Sequence, residues 1–154
     1  MSKPTRDPRS GVYVGHCGLN IAQSVDCGRV ARTVENEDGV VVSKDIVYAC
    51  SEPGQQQIKQ DIIDNGLDRI VIASCSPRLH EPTFKKMIDS VGLNPYMLDM
   101  ANLREQCSWV HMNDRDGATL KAETLVNMSI SRVRHLQPLT EETLPLTPKT
   151  LVIG

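Results

Sequence analysis

A chain of 154 residues is long enough for one domain with a full core and too short to suggest two. With 17 basic against 19 acidic residues and a net charge of −2, nothing in the electrostatics invites nucleic acid or an anionic membrane, and one Trp, three Tyr and one Phe are too few to stack a run of bases. No apolar run approaches the ~20 residues of a membrane span, and the amino terminus has no apolar signal core, so a cytoplasmic protein is expected.

Residues 1–10, charged and without a hydrophobic pattern, read as a flexible tail. Gly11–Val14 is the first predicted strand. It runs into Gly15-His16-Cys17-Gly18, where glycines let the backbone come close to whatever sits there. A loop through Asn20 follows, and then Val25 and Asp26 staple and cap a short helix with Val30, Ala31 and Val34 on one face and Cys27 in its first turn. Gly39–Cys50 supplies the second strand, with a break expected near Ser43-Lys44. Ser51 caps the next helix, in which Ile58 and Ile62 lie one turn apart and Gly66 is the C-cap.

The β-branched run Ile70–Ala73 has the look of a fully buried strand and stops at Cys75-Ser76-Pro77, where Ser76 is expected to cap a helix that Pro77 starts. That helix carries Phe84, Met87, Ile88 and Val91 on one face and ends at Gly92. Tyr96–Met100 is the fourth strand. Asn102 and Glu105 resemble a capping box for a helix that brings in Cys107 and Trp109. Asn113–Gly117 interrupts it, and a longer helix is expected over 118–136, with Ala122, Leu125, Val126, Ser129, Val133 and Leu136 on its inner face. Residues 137–149, with three prolines, read as a linker, and Leu151-Val-Ile-Gly154 as the first strand of something further.

Strands alternating with helices argue a three-layer α/β fold, Rossmann-like or flavodoxin-like, with a mainly parallel four-stranded sheet. Ligands bind such sheets outside the carboxyl ends of the strands. Cys17, Cys50, Cys75 and Cys107 each follow one predicted strand, so the topology collects four of the five cysteines at one edge. Without a secretion signal, the disulfide reading loses its support and leaves buried thiols, redox centres or metal ligands. A tetrahedral set of soft thiolates suits zinc or an iron–sulfur cluster, and the spacing matches no compact C-x-x-C pattern that would separate them. His16, His80 and His111 accompany the thiols as hydrogen-bonding neighbours rather than ligands, and Arg78 and Arg104 stand where they could balance a cluster's charge. Gly15–Gly18 lacks the three-glycine spacing of a dinucleotide site, and no phosphate-loop lysine is present.

Longer motifs carry a family resemblance. His-Cys-Gly-Leu-Asn-Ile-Ala at 16–22, Cys-Ser-Glu-Pro-Gly-Gln at 50–55, Cys-Ser-Pro-Arg-Leu-His-Glu-Pro-Thr-Phe at 75–84, Leu-Asn-Pro-Tyr at 93–96 and Asn-Leu-Arg-Glu-Gln-Cys-Ser-Trp-Val-His at 102–111 resemble the amino-terminal domain of the heterodisulfide reductase A-subunit, or of related flavoproteins of sulfur and sulfate metabolism. The resemblance implies an iron–sulfur domain over 11–136 with a [4Fe–4S] cluster on Cys17, Cys50, Cys75 and Cys107. It further implies that 137–154 is a linker and the truncated start of a flavin-binding domain. FAD belongs to the full-length family and is not expected on this chain. The implied role is electron relay between flavin, ferredoxin-like carriers and other subunits, with no turnover by the domain alone. Relatives often read Cys-His-Cys-Gly where this chain has Gly15; if that extra thiol is a ligand in them, the set here is completed by Cys27, by a modified cluster or by a ligand outside the chain, while Cys17, Cys50, Cys75 and Cys107 stay the expected four and Cys27 reads first as a buried helix residue. The competing expectation is a zinc-stabilised or metal-free interaction module whose cysteines serve structure only.

Overall fold

The computed structural model describes residues 7–153, so most of the predicted tail and Gly154 lie outside the described residues. Four strands, β1 (Ser10–Gly15), β2 (Val40–Ile46), β3 (Arg69–Ser74) and β4 (Leu98–Asn102), form one sheet in the order β2-β1-β3-β4, and all pairings are parallel. The helices are α1 (Leu19–Ala22), α2 (Cys27–Val34), α3 (Glu52–Asn65), α4 (Pro77–Asp89) and α5 (Arg115–Val133), with a π-helical turn over Arg104–Ser108.

Side chains alternate across β1 and β3 and build two cores. Val12, Val14, Val71 and Ala73 pack with Val30, Val34, Val126 and Val133 from α2 and α5. Tyr13, Ile70 and Ile72 pack on the other face with Ile58, Ile62, Phe84 and Ile88 from α3 and α4. Helix, sheet, helix: the three layers follow from strands that are apolar on both faces.

The caps are largely those the sequence announces. Asp26 accepts from the Arg29 N–H at 2.9 Å, Ser51 from the Gly54 N–H at 3.3 Å, and Asp114 from the Gly117 N–H at 2.9 Å. Gly66 closes α3 in the left-handed conformation, φ 55°. Ser76 stands at the expected N-cap, but its side chain makes no cap hydrogen bond, and Pro77 at the first helical position starts α4 without one.

Several boundaries differ from expectation. The stretch after Gly18 forms the single turn α1 rather than a loop. β2 runs unbroken through Ser43 and Lys44, because it is an edge strand and both side chains find partners: the Ser43 hydroxyl donates to the Ala31 carbonyl at 2.7 Å and Lys44 pairs with Asp61 at 2.7 Å. β4 begins two residues late, after a turn in which Asn94 Oδ1 takes the Tyr96 N–H. α5 starts three residues early, where Asp114 can cap it. Residues 137–153 are exposed and without regular structure, including the strand-like Leu151–Ile153, though the Leu139 carbonyl accepts from the Asn94 amide at 2.9 Å.

Candidate metal centre

The chain turns from β1 to β2 on one side and returns past β1 to β3 on the other, which makes the carboxyl ends of β1 and β3 the switch point of this sheet. Cys17 follows β1 by two residues and Cys75 follows β3 directly. Because Val14 pairs with Ala73, the two thiols leave adjacent strands at the same level. Cys50 is the last residue of a four-residue turn, 47–50, that follows β2, rather than coming straight from the strand. That turn is fixed by the Tyr48 carbonyl, which accepts from the Ser51 hydroxyl at 2.7 Å and the Ser51 N–H at 3.1 Å, and by the Gln55 side chain, which donates to the Cys50 carbonyl at 2.9 Å.

Close approach shapes each thiol's surroundings. A Cβ on Gly15 would stand 2.7 Å from the Cβ of Ser74, so the strand ends that carry Cys17 and Cys75 meet only because residue 15 has no side chain. Cys17 itself holds a positive φ of 49°, uncommon for a residue with a side chain and of the kind that gathers at functional sites. The Tyr48 ring lies beside the next residue, Gly18.

Burial pushes the Cys75 thiol above its ordinary value, and a Cys17 thiolate adds to the rise. The Arg104 guanidinium and the Ser74 hydroxyl oppose it, while Cys50 adds a smaller increment. Cys17, Cys50 and the Arg104 cation therefore all act on Cys75. Arg104 is held by Glu105 at 2.8 Å and lies over the Trp109 ring, 5.1 Å from its centroid. Asn102 Oδ1 accepts from the backbone N–H groups of Arg104 and Glu105, which is the capping role expected of it. The reciprocal half of a capping box is replaced by the Glu105–Arg104 pair, because the segment winds as a π-helical turn.

Cys107 stands apart from the three. It is fully buried in the core under α5, its Sγ donates to the Ala118 carbonyl at 3.1 Å, and the charge that bears on it is Lys121 of α5. Cys27 is likewise a core thiol, 3% exposed, with Sγ 3.7 Å from the Val25 carbonyl and 3.9 Å from that of Gly15. Burial, then Asp45 and Asp26, push it up to about 12 from 9.0. A raised thiol pKa means that the folded chain holds the proton more tightly than the unfolded one, so the associated stability is complete below pH 9 and is lost as pH rises toward 12. Replacing Cys27 with Ala should flatten this part of the stability–pH curve, which denaturation at a series of alkaline pH values measures.

His16 Nε2 lies 2.8 Å from Asp45, so it is anchored to β2. Arg78 is exposed on α4, with His80 half-buried two residues on, and His111 is half-buried beyond the π-helical turn, where its N–H meets the Cys107 carbonyl at 3.1 Å. Among the described residues, no group of three or more His, Cys, Asp and Glu is drawn together as a metal-ion cage. The donor set nevertheless fits a thiolate-bound group in two respects. Soft sulfurs follow the ends of three adjacent strands, with the Arg104 guanidinium acting on Cys75, and the buried Ser74 hydroxyl has no hydrogen-bond partner among the described residues.

No protein-family model matches the chain. It is 51% identical over 148 residues to the A-subunit of the H(2):CoB-CoM heterodisulfide,ferredoxin reductase of Methanothermobacter thermautotrophicus, which aligns 96% of this chain with 22% of that protein. It is also 51% identical over 148 residues to the second iron-sulfur A-subunit of the CoB–CoM heterodisulfide reductase of Methanopyrus kandleri, across 96% of this chain and 23% of that one. A protein of Archaeoglobus profundus named as like the heterodisulfide reductase A-subunit is 44% identical over 148 residues, 96% of this chain and 21% of its own length. The chain is homologous to one domain of the heterodisulfide reductase A-subunit.

The chain spans about a fifth of the length of these heterodisulfide reductase relatives. In this A-subunit homologue, sequence reasoning missed Ser74 and Asp45. Ser74 is the polar last residue of β3, after four apolar ones and directly before a cysteine, and that break in pattern was its available signal. Nothing local marks Asp45 as the partner of His16, 29 residues away. No helix is long and apolar enough to cross a membrane among the described residues.

Proposed function

We propose that the chain is an iron–sulfur cluster-binding electron-transfer domain of a flavoprotein like the heterodisulfide reductase A-subunit. What supports this reading is the topology, in which Cys17, Cys50 and Cys75 follow the carboxyl ends of the adjacent parallel strands β1, β2 and β3 and the Arg104 cation acts on Cys75. The relatives' names, in which the words iron-sulfur and ferredoxin reductase occur, support it. A [4Fe–4S] cluster, when bound, supplies a one-electron store.

The residues of the chain would do the rest. Cys17, Cys50 and Cys75 would hold the group as thiolates, with Cys107 as the fourth, or with Cys27 or a ligand outside the chain in its place. For Cys107 to join, its Sγ must give up the Ala118 carbonyl, and a π-helical turn, with its looser winding, is a segment suited to such a change. Arg104 offsets anionic charge. Ser51 and Pro77 start α3 and α4 so that their amino ends, with unpaired N–H groups and positive dipole ends, face the thiol edge. Partners on this reading are a flavin domain carrying FAD, ferredoxin-like carriers and other subunits of a heterodisulfide reductase-like complex in the cytoplasm.

The test is an anaerobic absorption spectrum with iron and sulfide analysis, before and after dithionite. A visible band that bleaches, with about four irons per chain as a cubane cluster requires, is the expected result. A colourless chain that stays colourless after reconstitution with iron and sulfide would refute it, and bound zinc would replace electron transfer with a structural role.

A further inference from the structure

β4 is the outer strand of the sheet on the side opposite β2, and among the described residues only β3 pairs with it. The Met97 carbonyl accepts from the Ile70 N–H at 3.0 Å and the Leu103 N–H donates to the Ser74 carbonyl at 2.7 Å, so the odd-numbered residues through β4 bond to β3. By the alternation of a parallel ladder, the N–H and C=O groups of Leu98, Met100 and Asn102 then point to the open side. Backbone groups left in that way are a template for another strand.

The edge lies between two helices. Leu98, Asp99 and Ala101 are each no more than 9% exposed, because α4 and α5 cover β4 from its two faces. A hollow of about 310 Å³ opens on the α5 side, walled by Leu125 and Met128, and one of about 180 Å³ on the α4 side, beside Pro77 and Glu81. Asp99, Met100 and Arg132 line both, so the two hollows meet along the strand. Arg132 stands where they meet. Its Nη1 donates to Asp99 Oδ1 at 2.7 Å while the side chain stays 71% exposed, and its Nε and Nη2 have no partner among the described residues.

We propose that this cleft takes an extended segment of a partner polypeptide, which adds to the sheet beside β4 and sets a carboxylate against Arg132. Backbone pairing supplies the affinity, and the two hollows receive side chains that alternate to either face of the added strand. The guanidinium, with planar donors still unused, suits an Asp or Glu on that segment. A folded second copy fits poorly. Its β2 edge carries the paired charges of Lys44 and Asp45, and its β4 edge is flanked by helices of its own. A segment with no sheet around it brings no such bulk. The site is made by the sheet edge and does not depend on what the thiols hold.

The experiment uses the full chain and two synthetic peptides of alternating valine and threonine, one with a central glutamate and one with a central lysine, and follows amide exchange by NMR. Without peptide, the amides of Met100 and Asn102 should exchange fast while those of Asp99 and Ala101 are protected. The glutamate peptide should protect both open-side amides and bind about tenfold more tightly than the lysine peptide, the worth of one charge-assisted hydrogen bond. Met100→Pro should lose that binding with a melting temperature near wild type, since it removes an N–H that the ladder does not use and an edge strand tolerates proline there. If Met100→Pro does not fold, Arg132→Gln decides, because it keeps a donor for Asp99 and should abolish the preference for glutamate. No protection by the glutamate peptide, or equal binding of the two peptides, would overturn the proposal. So would protection of Met100 and Asn102 without peptide: dependence on chain concentration would assign the edge to a second copy, and loss on removing residues 142–153 would assign it to the chain's own end.

Discussion

Cys75→Ser is expected to leave the chain folded and to strip it of iron and sulfide. The thiol sits at the switch point, 2% exposed, and is the one of the converging three on which both other sulfurs act. A serine hydroxyl occupies nearly the same volume, so the core is spared, but it stays protonated at neutral pH and is a hard, poor ligand for iron in a sulfur-bound cluster. Iron and sulfide should fall from full stoichiometry to background, with the melting temperature of the metal-free chain little changed. Full iron retained in Cys75→Ser would sink the ligand assignment. Cys107→Ser is the companion measurement, and the same loss is expected if the turn releases it from Ala118. Iron retained there would leave Cys107 as a core thiol and hand the fourth place to Cys27 or to a group outside the chain.

Gly54→Ala should destabilise the fold by about 3 kcal/mol, the upper part of the range for overpacking. Gly54 lies in the first turn of α3, and an added Cβ would collide with the Tyr48 carbonyl oxygen and press on the Ala49 backbone at 3.1 Å. Those atoms are main chain and cannot swing aside. They also belong to the turn that carries Cys50, so the cost falls on the centre's own support. Gly66→Ala provides the contrast at the other end of the same helix. Nothing stands within 4 Å of its Cβ position, and only the left-handed φ of 55° opposes the side chain, at a cost of about 1 kcal/mol. Denaturant titration of the two variants separates collision from backbone preference, and equal effects would refute the account of Gly54.

The alternation of strand and helix was legible because the two central strands, β1 and β3, are short apolar runs rich in Val and Ile and the longer helices repeat their apolar residues every three or four positions. The positions of Cys17 and Cys75 followed from that alone, since a residue just past a parallel strand has one edge to occupy. Cys107 shows where such reasoning stops. Its place after the fourth strand was readable, but the direction of its side chain depends on a π-helical winding that no local residue pattern encodes and on the Ala118 carbonyl of another helix. The start of β4 lies two residues beyond its expected place because Tyr96 and Met97 look like strand while Asn94 binds them into a turn. Ser74 escaped notice although it breaks the apolar run of β3, because only the structure shows its hydroxyl buried without a partner among the described residues.

The polar middle of β2 has a consequence beyond this domain's own packing. An open parallel sheet invites another copy to lay its outer strand alongside and continue it, the first step of fibril growth. On β2 that strand would meet Lys44 and Asp45, already paired with Asp61 and His16. Two copies in parallel register would set lysine against lysine and aspartate against aspartate. The charges at the centre of β2 thus make that edge a poor template for a second copy.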